Sequence, residues 1–150
     1  MSLRTPGPLE RRFERLLDYV FWCGMEVFLL SLPVTVLLLG APYPMYVALA
    51  ASVSLVTCTA GVAAVRGRYL GLDPSGWPRF SDFHSLPFRA GYYGGAVATA
   101  TFTGVEAALR VGAPWPLAVV SVAVATLALA ALPQAFAATR RAARFWTFVG

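Results

Sequence analysis

A 150-residue chain that is 58% hydrophobic and only 13% charged cannot cover a soluble core with a polar shell. Its mean hydropathy of +0.66 points to a bilayer instead. The net charge of +5 comes from twelve arginines and no lysine. Those arginines cluster between apolar stretches, so they imply anionic lipid headgroups and exclude nucleic acid as the partner.

Residues 1–18 open the chain with Leu9, Phe13, Leu16 and Leu17 at helical spacing, while Arg11, Arg12, Arg15 and Asp18 fall largely on other faces. That pattern predicts an amphipathic helix on the inner membrane surface, separate from or continuous with the first span. The first apolar stretch follows at 19–39 and carries Cys23, Glu26 and Pro33. It is too long for a signal peptide, has no small-residue cleavage pattern, and is followed by three more such stretches, so it is retained as a span. Pro33 removes one backbone donor and is expected to kink the helix.

The second stretch, 45–65, presents a small and polar face through Ser52, Ser54, Thr57, Cys58, Thr59 and Gly61. The third, 90–109, has two rows of small residues at i+4 spacing: Gly91, Gly95, Thr99, Thr103 and Ala107, and Ala96, Ala100, Gly104 and Ala108. Small residues let helices approach closely in lipid, which makes this span the expected centre of packing, with Gly91, Gly95, Thr99 and Gly104 as packing residues. The fourth, 117–138, is mostly Ala, Val and Leu until Pro133 and Gln134. Each stretch has about twenty residues, enough to cross a ~30 Å hydrocarbon core.

The connections are unequal. Gly40-Ala41-Pro42-Tyr43-Pro44 and Gly112-Ala113-Pro114-Trp115-Pro116 form short turns of one pattern, read either as a duplication or as one solution reached twice. Between them, residues 66–89 form a longer loop with Tyr69, Trp77, Phe80, Phe83 and Phe88. Eleven arginines precede the first span, lie in this loop or follow the fourth span, and only Arg110 lies toward the other side. The positive-inside rule therefore places 1–18, 66–89 and 139–150, with both termini, in the cytoplasm of a cell-membrane protein. Arg11, Arg12, Arg15, Arg66, Arg68, Arg140, Arg141 and Arg144, with Trp77 and Trp146, are expected to meet headgroups or a partner chain. Glu106 precedes Arg110 by four residues, the favourable order for a structural ion pair.

The expected fold is thus an all-α, four-span membrane domain of two helical hairpins (19–65 and 90–138) behind an N-terminal interfacial helix. Glu26, about 10 Å below the inner surface by rise per residue, is the informative residue. An ionisable group at that depth is a candidate functional site, and Thr57, Cys58, Thr59, Thr99 and Gln134 fall near its level. These groups either form a working polar site or only satisfy the carboxyl. The two cysteines have no CxxC spacing, there is one histidine, His84, and no phosphate-binding glycine loop or metal motif occurs, so no metal, cofactor or enzyme chemistry is expected. Two functions fit: an accessory or scaffolding subunit of a larger membrane complex, or a homo-oligomeric small transporter or channel with Glu26 as its proton or cation site.

Overall fold

The computed structural model describes residues 7–149, with side chains as far as Phe145; Trp146 therefore lies outside the described side chains. Four helices account for most of it: α1 (Pro8–Leu38), α2 (Pro44–Arg66), α3 (Leu86–Val111) and α4 (Trp115–Val149), and no strand occurs among the described residues. α1, α2 and α4 are long and apolar enough to cross a bilayer, with mean hydropathies of 1.9, 1.9 and 2.2 in their most apolar segments. α3 falls short of that standard by composition, because glycines, threonines, tyrosines and charged residues dilute its apolar positions.

Local chemistry sets the helix ends. Pro8 and Pro44 stand in the first turns of α1 and α2, where the missing N–H costs nothing and the fixed φ favours helix. The Gly7 amide donates to Glu10 Oε2 at 3.2 Å, closing the α1 start. α3 ends at Gly112, whose φ of 71° is left-handed and whose amide returns to the Ala108 carbonyl at 2.9 Å. The matching turn at Gly40–Pro44 takes another path, with Tyr43 as its left-handed residue at φ 58°. The same five-residue pattern thus gives two different backbones.

Residues 8–18 are continuous with the first span, forming the first turns of α1, which runs on through Pro33. The tail after 138 likewise continues α4. The central loop is shorter than 66–89, because α2 extends to Arg66 and α3 begins at Leu86. Within it, Asp73 and Asp82 cap the short 3-10 turns Pro74–Gly76 and Phe83–Ser85, and Trp77 and Pro78 are buried beneath the bundle.

α2 and α3 each pack on all three other helices, whereas α1 and α4 scarcely meet. The core between them is small and aliphatic: Val27, Ala50, Val62, Val97, Ala100, Leu117, Ala125 and Leu132. Two glycines of α3 set how closely it is approached. A Cβ at Gly104 would strike Ser121 Oγ and stand 2.8 Å from the Leu117 carbonyl of α4, and one at Gly94 would stand 2.7 Å from Val34 Cγ2 of α1. The Ser121 hydroxyl donates to the Ala100 carbonyl at 3.0 Å across that contact, and Tyr92 Oη donates to the Ala128 carbonyl.

Candidate functional site

Glu26 lies five turns into α1 and is 5% exposed. Both of its oxygens are taken by arginine. Arg66, the last residue of α2, donates Nη1 to Oε2 and Nη2 to Oε1, the latter at 3.2 Å. Arg89, in the first turn of α3 and 1% exposed, donates Nη1 to Oε1 at 2.6 Å. One carboxylate therefore joins three helices through two guanidiniums. The same arginines reach into the loop: Arg66 Nη2 donates to the Pro78 carbonyl at 3.2 Å, and Arg89 Nη2 to those of Asp82 at 3.1 Å and Phe80 at 3.4 Å.

The charges do not cancel within this cluster, since one carboxylate faces two cations. Opposite charges in a low-dielectric interior hold each other strongly, and removing one partner of such a pair leaves an uncompensated buried charge. Cys23, one turn before Glu26, and Tyr93, one turn after Arg89, lie within electrostatic reach of the cluster and are themselves buried. Tyr93 Oη, Arg89 Nε and, further along α3, Thr101 Oγ1 are buried without a hydrogen-bond partner among the described residues.

The polar layer expected around Glu26 is not assembled. Thr99 and Gln134 are exposed on the outside of the bundle. Thr57 donates to the Val53 carbonyl one turn back in α2, at 2.8 Å, while Thr59 packs near Gly24 of α1 and Cys58 is fully buried. In α3, Gly91 and Gly95 face open space and only the row with Gly104 turns inward. Arg66 points at Glu26 and Trp77 is buried, although both also line a recess at the loop end, whereas Arg11, Arg12, Arg15, Arg68, Arg140, Arg141 and Arg144 are exposed. Glu106 and Arg110 pair at 2.7 Å on the exposed side of α3.

Outside the cluster, the loop end of the molecule has one strained cation. Tyr69 N bonds back to the Ala64 carbonyl at 3.0 Å and Arg68 N to that of Val65 at 3.1 Å, a Schellman ending for α2. Its left-handed position is held by Arg68, at φ 57°, where glycine would avoid a cost of roughly 1–2 kcal/mol. Among the described residues, no three His, Cys, Asp or Glu side chains are placed to hold a metal ion.

Residues 10–139, from the first turn of α1 well into α4, match the family described as a domain of unknown function, DUF8215. The chain belongs to that family. The match takes in Glu26, Arg66 and Arg89, so the whole buried cluster lies inside the DUF8215 domain. No curated protein and no solved structure matches the chain.

Sequence reasoning missed Arg66 and Arg89 as the partners of Glu26. The signal was present in their positions: both lie where an expected span meets the central loop, at the same end as Glu26 in the expected topology. A long arginine stem can carry its head along an apolar wall over more than a helical turn, so a cation at a span end reaches a carboxylate inside it.

Proposed function

We propose that this chain is a non-catalytic accessory or scaffolding subunit of a larger complex in the cell membrane. In this reading α1–α2 and α3–α4 are two transmembrane hairpins, and both termini and the loop between α2 and α3 are cytoplasmic. The 26 residues of α3 extend about 39 Å, long enough to cross, and its contacts with every other helix support its place as a fourth span inside the bundle. Its lower hydropathy fits a helix shielded from lipid by its neighbours.

The observation that carries the reading is the occupation of Glu26. An intramembrane carboxylate is the one feature that favours transport, and here both oxygens already accept from guanidiniums. A cation would have to displace two permanent charges to bind there. The cluster instead ties α1, α2, α3 and the loop together, a structural task. Large apolar side chains stand exposed on the outer faces of α1 (Trp22, Phe28, Leu29) and α4 (Val119, Leu127), surfaces suited to lipid or to a neighbouring membrane chain.

Tagged protein extracted in mild detergent from its own membranes and weighed by native mass spectrometry tests this. A foreign membrane chain in fixed stoichiometry is the expected result. A symmetric homo-oligomer alone, with proteoliposome ion flux that Glu26→Gln abolishes while the protein stays folded, would establish the transporter instead.

A further inference from the structure

The loop end of the bundle holds a recess of about 390 Å³ whose polar wall is Arg66, Arg68, Arg79, Asp73 and Ser75, with Trp77 as apolar wall. Its charges are unequal, three guanidiniums against one carboxylate. That carboxylate is already committed: Asp73 Oδ1 accepts from the Ser75 amide at 3.0 Å and Oδ2 from the Ser75 hydroxyl at 2.9 Å. Those bonds, and after them the nearby Arg68 guanidinium, hold the Asp73 carboxyl below its usual range. Arg66 is committed as well, to Glu26 and Pro78. Arg68 and Arg79 are exposed, and their guanidiniums make no ion pair among the described residues.

Arg68 is the second reason to look here. Its left-handed backbone is a glycine position occupied by a cation, and the side chain it adds stands in the wall of the recess. Two mostly apolar recesses share Phe80 with it, one of about 280 Å³ against Tyr19 and Trp22 and also lined by Arg15 and Asp18, and one of about 370 Å³ against Leu29, Leu30 and Leu86 and also lined by Glu26 and Arg89. A cationic cup beside apolar grooves matches a ligand with an anionic head. Guanidinium forks fit tetrahedral phosphate oxygens bidentately, which lysine cannot do.

We propose that this recess is a phosphate-binding site, with Arg68 and Arg79 as the donors to the phosphate oxygens and Arg66 as a fixed positive charge behind them. The phosphate is that of an anionic phospholipid whose chains lie in the grooves beside Phe80, or a free phosphate from the aqueous side. The inference is independent of whether the chain serves a larger complex.

The full chain in nanodiscs distinguishes the sources. One set of discs contains phosphatidylcholine with phosphatidylglycerol, and lipid retained after transfer to detergent is counted by native mass spectrometry. The other contains phosphatidylcholine alone and is titrated with inorganic phosphate by calorimetry. Retention of phosphatidylglycerol identifies a lipid site, and saturable binding of inorganic phosphate identifies a soluble ligand. In whichever arm binds, R68G combined with R79Q weakens binding roughly tenfold or more, the worth of lost charge-assisted hydrogen bonds. R110Q, an exposed arginine at the end of α3 away from the loop, leaves it within about twofold. Because glycine suits the Arg68 backbone, R68G keeps or raises the unfolding temperature, so a loss of binding is not a loss of fold. Binding unchanged in R68G/R79Q, or no binding of either ligand to the native chain, overturns the proposal.

Discussion

Glu26 balances one of the two guanidiniums it holds and leaves the other as net charge in the interior. This makes the cost of substitutions unequal. Glu26→Gln leaves Arg66 and Arg89 facing each other unpaired, and the expected loss is about 3–5 kcal/mol, the scale for a broken buried ion pair. Arg89→Gln leaves a one-to-one pair between Glu26 and Arg66, so it should destabilise less. Unfolding of the two variants in the same detergent, followed by helical circular dichroism, checks the order; an equal or reversed order would contradict the charge count. Glu26 was legible in the sequence as a polar residue inside a span, but its neighbours were not. Rise per residue gives depth and says nothing of direction around the helix. Thr99 shares the level and differs by about 100° from Ala100, which faces the core, and that rotation puts it outside. Arg66 and Arg89 begin at the span ends and arrive at Glu26 only through the length of their side chains.

At the scale of the element, α3 holds two small-residue rows that look alike in sequence and differ in use. The row with Ala96, Ala100, Gly104 and Ala108 is buried against α4 and its neighbours, while Gly91 and Gly95 meet nothing. Spacing alone could not choose between them, since both satisfy the packing pattern; the bulk of Ser121 and the Leu117 carbonyl on the partner helix decides it. Gly104→Leu should therefore cost about 1–3 kcal/mol or more through overpacking. Gly95→Ala has room for its methyl and gains helix propensity, so it should leave stability unchanged or raise it by up to about 1 kcal/mol. Thermal unfolding of both variants checks this, and equal losses would mean that α3 packs by its other face. The boundaries of the elements were less legible. The charged first turns of α1 read as a surface helix because their period and charge pattern satisfy that description equally well, and nothing between 8 and 38 interrupts the hydrogen-bond ladder except Pro33, which the helix accommodates.

For the whole molecule, hydropathy made α1, α2 and α4 plain, and the clustered arginines suggested where the loops lie. α3 is expected as a span on the same ground of length, but it falls short by composition, because a helix that packs on every other helix can carry glycine, threonine and tyrosine in place of leucine. Four crossings, with the loop and its buried cluster at the inner face, require α3 to pass through the bilayer. Single cysteines decide this directly, because Cys23 and Cys58 are buried and give little background with a water-soluble reagent. Ser75→Cys lies in the exposed loop before α3, and Pro114→Cys in the exposed turn after it. In intact cells, a membrane-impermeant maleimide should label position 114 and leave position 75 unlabelled until the membrane is opened. The same result at both positions, labelled or protected, would contradict α3 as a span, and external labelling of 75 alone would contradict the loop as the inner face.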